Sequence, residues 1–174
     1  MSKALIIYAS ETGNTRKIAN EIYDAVRLDE KELVDIRSFD GRIDADVFFV
    51  GYWVNHSTCS LEIMDLLSSL HGKHVAIFGT CGLDDSAHYY SRLEKNVTAF
   101  LPEDNNYLGA FYCRGKMPRE IREKYESARG SFEDDILDRM LSSFDQALTH
   151  PDKQDLLRAH LFVDDVLHQL GMVY

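Results

Sequence analysis

Six consecutive residues near the start of the chain, Ser10, Glu11, Thr12, Gly13, Asn14 and Thr15, bring hydroxyls, an amide and a glycine into one turn. The turn lies where an apolar run, residues 3–8 (KALIIY), gives way to a helical pattern that begins at Thr15. A turn between a buried strand and a helix leaves main-chain NH groups unpaired at the helix N-terminus, where the macrodipole adds partial positive charge. Anions bind at such places. The hydroxyls of Ser10, Thr12 and Thr15 and the amide of Asn14 add donors, and Gly13 allows close approach of the main chain or a positive φ. The same residue types also favour helix starts for purely local reasons. The sequence has no GxxxxGK[ST] and no GxGxxG. The lysine that reaches a nucleoside triphosphate and the glycine turn for a dinucleotide pyrophosphate are therefore both missing.

Other groups with chemical potential follow later apolar runs. Trp53 is the sole tryptophan and follows residues 45–52 (ADVFFVGY). Cys59, Cys81 and Cys113 show no CxxC or metal-like spacing, and one stays unpaired whatever bridge forms, so they are expected to be reduced thiols. A formal net charge of -10 over 174 residues argues against nucleic acid or an anionic membrane as partner. It suits a protein that meets a basic surface. No apolar stretch approaches the roughly 18 residues a membrane span needs, and the opening MSKALIIYAS is too soon interrupted for a secretory signal. These features predict a cytoplasmic chain that uses no membrane.

The elements that must position these residues alternate. Residues 3–8 read as a strand buried on both faces, and KELVDI, ADVFFVGY, KHVAIFGT (73–80) and NYLGAFYC (106–113) read as four further strands. Between them, Ile18, Ala19, Ile22, Tyr23 and Val26 form one helical stripe; Leu61, Ile63, Met64, Leu67 and Leu70 form a second; Ala87, Tyr90, Leu93 and Val97 form a third. Such alternation predicts right-handed crossovers and a parallel sheet covered on both faces. The link RSFDGRIDA shows little helical stripe, so an abbreviated crossover is expected there. Ile121, Tyr125 and Ala128, then Ile136, Leu137, Met140, Leu141, Phe144 and Leu148, mark two further helices separated by Gly130. Thr149-His150-Pro151-Asp152 reads as the start of a last helix, striped by Leu156, Ala159, Val163, Val166, Leu167 and Leu170 and ended by Gly171. With 45% hydrophobic residues, one domain over 1–174 is expected.

SETGNT, residues 10–15, resembles the FMN-phosphate loop of flavodoxins, and its place after the first strand is similar too. GYWVNHSTCS, AIFGTCG and FYCRGKM resemble a flavodoxin-like subgroup with G-[FY]-W after strand three, F-G-T after strand four and C-x-G-K after strand five. The resemblance spans roughly residues 3–150, which implies a domain core at about 3–150 and a C-terminal helical extension at 151–174. It implies a three-layer α/β/α sandwich on a five-stranded parallel sheet of order 2-1-3-4-5, with extra C-terminal helices. Flavodoxin is a standing example of the rule that ligands bind at the switch point of such a sheet.

The resemblance also implies where FMN would lie. The loops after strands three and four hold the isoalloxazine, which assigns Tyr52, Trp53, Val54, Asn55 and His56, with Thr80, Cys81 and Gly82, to cofactor binding alongside Ser10 to Thr15. Trp53 is the stacking residue, ranked above Tyr52 because strand alternation turns Tyr52 to the other side. Either His88 or Tyr89 reaches the outer ring face, while Tyr90 fits the core stripe. The stretch Tyr52–Ser60 lacks the glycine that helps many flavodoxins hold one-electron-reduced flavin, and Asn55 is the expected left-handed substitute. Glu62, Asp65, Asp84 and Asp85 flank the loops and would steer a basic redox partner.

The function so implied is an FMN-binding electron carrier between a reductase and an acceptor enzyme, as a monomer or weak dimer. No catalytic acid or base is then required. The alternative is a flavin-dependent NAD(P)H reductase acting directly on a quinone or other small acceptor. A non-redox receiver-type domain fits poorly, because no acidic cluster ends the first strand and no aspartate ends the third.

Overall fold

The computed structural model describes residues 2–172. Five strands alternate with helices: β1 Lys3–Tyr8, α1 Asn14–Ala25, β2 Glu30–Asp35, β3 Val47–Trp53, α2 Leu61–Ser69, β4 His74–Cys81, α3 Ala87–Thr98 and β5 Asn106–Arg114. Three helices follow: α4 Arg119–Ser127, α5 Asp134–Ala147 and α6 Lys153–Gln169. The strands pair in parallel in the order β2-β1-β3-β4-β5.

Side-chain alternation along the strands builds two cores. Ala4, Ile6 and Tyr8, with Val47, Phe49, Ala76 and Phe78, pack under Ile18, Ala19 and Ile22 of α1 and under Ala159, Val163, Val166 and Leu167 of α6. Leu5, Ile7, Phe48, Val50, Tyr52, Val75 and Ile77 face the other way, under Ile63, Leu66 and Leu67 of α2 and Leu93 and Val97 of α3. Residues after 150 thus supply one of the two helices that cover the first face. The pair α4–α5 lies between β5 and α6; α4 has no buried residue, whereas α5 buries Leu137, Leu141, Phe144 and Ala147.

The link between β2 and β3 holds only a 3-10 turn, Ile36–Ser38. The shortened crossover leaves a concavity of about 180 Å³ over Leu5, Val34 and Phe39, rimmed by Glu32, Asp40, Arg42 and Asp44. Two motif glycines answer to neighbouring strands. A Cβ on Gly51 would fall 2.1 Å from the Phe78 ring, and one on Gly79 would fall 2.5 Å from the Tyr112 ring. At these positions the aromatic ring of the adjacent strand fills the space a side chain would take.

The start of α6 differs from expectation. Thr149 and His150 complete the end of α5, where the His150 NH donates to the Ala147 carbonyl. The cap is Asp152, whose carboxylate accepts from the Asp155 NH at 2.9 Å while Asp155 accepts from the Asp152 NH at 2.9 Å. This reciprocal box satisfies two helix-end donors, and Pro151 precedes it instead of opening the helix. Asp155 also accepts from Arg158 and pairs with His150 at 2.6 Å. The His150–Asp152–Asp155 cluster, although its ligand atoms lie within 4.8 Å of one another, is therefore accounted for as a helix cap.

Candidate cofactor site

Strand register brings the C-terminal ends of β1, β3, β4 and β5 to one edge: Tyr8 beside Gly51, Trp53 beside Thr80, and Cys81 beside Arg114. The loop of residues 9–13 emerges there and ends at Gly13, whose φ of 95° sets the entry to α1. That left-handed backbone is cheap only for glycine, and no atom lies within 4 Å of where its Cβ would stand. The loop is tied inward by its side chains. Ser10 Oγ accepts from the Arg16 NH at 3.3 Å, and the Asn14 amide donates to the Lys116 carbonyl at 2.8 Å. Thr15 and Thr80 share a buried hydroxyl–hydroxyl hydrogen bond of 2.8 Å. Among the described residues, the main-chain NH groups of residues 11–15 find no acceptor. The main-chain NH groups at this helix N-terminus, around an open glycine, are thus unpaired, and the Ser10 and Thr12 hydroxyls, which accept in these contacts, keep their own protons to donate; an anion can accept from such a set.

The next loops lock onto this one. A Cβ on Gly115 would sit 2.7 Å from Asn14 Nδ2, and a Cβ on Gly82 would sit 2.3 Å from Met117 Cγ. The Gly115 NH donates to the Cys81 carbonyl at 2.9 Å. The glycine of RGK therefore lets the β5 loop close against the loop after β1, and the glycine of TCG lets the β4 loop close against the β5 loop.

Trp53 is half-buried at the end of β3, and Val54 donates its NH to the Thr80 carbonyl at 2.9 Å. Tyr52 takes the other direction, fully buried, with its hydroxyl 2.8 Å from that of Tyr112. Its ring meets Tyr112 edge-on and its side chain is part of the core, as strand alternation demands. Burial, with the neighbouring Tyr112, pushes its pKa well above the ordinary tyrosine value. Tyr90 stacks on Tyr112 with ring centroids 5.5 Å apart. Tyr89 is half-buried and His88 exposed, at the start of α3.

After Val54 the chain makes a tight turn in which Asn55 and Thr58 exchange main-chain hydrogen bonds of 2.9 and 3.0 Å. The left-handed residues are His56 (φ 48°) and Ser57 (φ 63°), where the sequence had pointed to Asn55. A two-residue hairpin turn of type I′ takes positive φ at both central positions, and the Asn55–Thr58 bridge places those positions one residue later. Asn96 of α3 braces the turn by donating to the Ser57 carbonyl at 2.9 Å.

All three thiols are buried. Burial pushes Cys59 up to about 11 and Cys81 to about 12, and raises Cys113 further. Thiols so protonated are poor nucleophiles, which suits a packing role. The sequence reading passed over Arg114, a charged residue at the end of an apolar strand, which is buried here.

The sequence model of the flavodoxin domain matches residues 5–164. The chain belongs to the flavodoxin family. It is 32% identical over 176 residues to the flavodoxin-like domain-containing protein BilS of Clostridioides difficile (strain CD3), covering 98% of this chain and 99% of that one. It is 28% identical to the protein of the same name from Clostridium symbiosum (strain WAL-14163), with 98% of each chain covered. Among solved structures it is similar to the Streptococcus pneumonia TIGR4 flavodoxin, with a TM-score of 0.59, 17% identity, and 97% and 99% of the two chains covered. That last likeness is one of fold. In a sheet of this order the switch point lies between the C-terminal ends of β1 and β3, and the loop around Gly13 opens there.

Proposed function

We propose that the chain binds FMN at this edge and acts as an electron carrier between a reductase and an acceptor enzyme in the cytoplasm. The observation that carries the reading is the loop of residues 10–15, with its outward NH groups and open Gly13. Ser10, Glu11, Thr12, Gly13, Asn14 and Thr15 would hold the phosphate, with the Asn14 and Thr15 side chains acting from their anchored positions. Trp53, Val54, Asn55 and His56, with Thr80, Cys81 and Gly82, would flank the ring, whereas Tyr52, grouped with them on sequence, turns its side chain to Tyr112 in the core. When bound, the isoalloxazine supplies the electron-accepting chemistry; the protein sets its exposure and the charge around it.

Exposed acidic groups surround the same edge: Glu11, Glu62, Asp65 and Asp85, with Asp84 half-buried. Leu61, 74% exposed, and Leu83 lie among them. An acidic rim with an apolar centre favours brief docking of a basic protein surface. It also repels the phosphates of a nicotinamide dinucleotide, which weighs against the direct NAD(P)H reductase reading. The purified, FMN-loaded protein should therefore consume almost no NADH or NADPH with a quinone unless a separate reductase is added. Rapid turnover by the chain alone would establish the reductase instead.

A further inference from the structure

Arg114 closes β5 with its side chain 8% exposed, one strand away from Cys81 in register. Its guanidinium donates to Gln146 of α5 at 2.9 Å and to Asp85, in the loop after β4, at 3.2 Å. Its Nε is buried and has no acceptor among the described residues. Asp85 is 63% exposed, so solvent screens much of its charge, and Gln146 is neutral. The buried cation is thus only partly neutralised. Its field is felt at the loop: burial raises the Cys81 thiol, and Arg114 is the main charge acting in the opposite direction. An apolar side chain would fill this place at lower cost in stability, so packing alone does not account for an arginine.

We propose that Arg114 sets the reduction potential of the bound cofactor: its incompletely neutralised charge, beside the loop Thr80–Gly82, favours reduced over oxidised FMN. The inference rests on the reading of this edge as the FMN site. Two-electron reduction of a flavin with uptake of one proton leaves one negative charge on the ring, so a fixed cation nearby stabilises the reduced form. At an effective dielectric near 20, a fixed unit charge beside the ring site changes the affinity ratio of reduced to oxidised cofactor by about tenfold. Arg114 would thereby oppose the acidic rim, whose negative charges disfavour an anionic reduced ring.

The test compares the full-length protein with Arg114→Gln, Arg114→Lys and Asp85→Asn, each reconstituted with FMN. Spectroelectrochemical titration gives the potential, and fluorescence titration of the apoprotein gives the affinity for oxidised FMN. Arg114→Gln should bind oxidised FMN within about threefold of the parent, yet lower the reduced-to-oxidised affinity ratio about tenfold, or about 30 mV for a two-electron couple. Arg114→Lys should stay within about threefold of the parent, because it keeps the charge. Asp85→Asn removes the counter-charge together with a rim carboxylate and should move the ratio about twofold in the opposite direction. A ratio unchanged within twofold in Arg114→Gln, with FMN held by both proteins, overturns the inference alone. Should Arg114→Gln not fold, an unshifted or lowered ratio in Asp85→Asn overturns it equally. A parent protein that fails to take up FMN would bring down both this inference and the cofactor reading.

Discussion

The buried hydroxyl pair of Thr15 and Thr80 offers the sharpest test of how the loop after β1 is anchored to the sheet. The two side chains meet at 2.8 Å, and the residues are 1% and 3% exposed, so water cannot replace a lost partner without local opening. Thr15→Val keeps the shape and removes the hydroxyl, leaving Thr80 Oγ1 buried and unpaired. The desolvation penalty of one stranded hydroxyl is about 1–3 kcal/mol. For a chain of this size that corresponds to a fall in Tm of roughly 2–4 °C per kcal/mol. Thr80→Val should cost a similar amount. The double variant removes both polar groups and should return to within about 1 kcal/mol of the parent, giving a coupling energy of at least about 1 kcal/mol. Urea unfolding of the four apoproteins at fixed pH measures all terms. Single variants indistinguishable from surface substitutions, or a double variant whose cost is the sum of the two singles, would refute the argument.

Further expectations follow from the same contacts. Gly115→Ala drives a methyl into the Asn14 side chain and should cost about 1–3 kcal/mol while weakening FMN binding, read by urea unfolding and FMN fluorescence; an unaltered affinity would show that this contact does not shape the loop. With its thiols buried and their pKa values raised, the native protein at pH 8 should react with Ellman's reagent only on the timescale of unfolding, and a thiol labelled within seconds would contradict their burial. Although burial works against the Asp155 carboxylate, the Asp152 NH, His150 and Arg158 hold its pKa below the ordinary carboxylate value. A depressed carboxylate contributes stability that is present above its unfolded pKa and lost as pH falls through the folded one. The stability advantage of the parent over Asp155→Asn, on the order of 1–2 kcal/mol, should therefore hold from pH 5 to 7 and shrink below about pH 4. A difference that grows toward low pH would reverse the assignment.

The sheet was legible because four of its five strands are largely apolar runs bounded by turns, while β2 (EKELVD), with no buried residue, shows as a strand mainly through its place in the alternation; the helices were legible because their stripes keep a 3.6-residue period. The open turn around Gly13 was equally plain, since glycine and hydroxyl residues at a strand-to-helix junction mark a local backbone geometry. What escaped the sequence depends on partners far along the chain. Nothing in SETGNT shows that Asn14 turns to Lys116 or Thr15 to Thr80. The left-handed residues of the loop after β3 came out one position late, because the bridge between Asn55 and Thr58, and not residue preference, sets where the turn falls. The start of α6 moved from Thr149 to Asp152 because the end of α5 uses Thr149 and His150 first. Arg114 carried one signal that could have found it: a charged residue closing an otherwise apolar strand beside a motif glycine.

The most direct measurement is the affinity of the apoprotein for FMN, taken with Gly13→Asn and Gly13→Asp. Both substitutions meet the same left-handed backbone in the same open space, and asparagine and aspartate tolerate it alike, so the pair isolates charge from strain. The phosphate-loop account predicts a yellow parent protein, Gly13→Asn weakened by no more than about tenfold, and Gly13→Asp by at least about 100-fold through repulsion of the phosphate. Equal affinities for the two variants would contradict it.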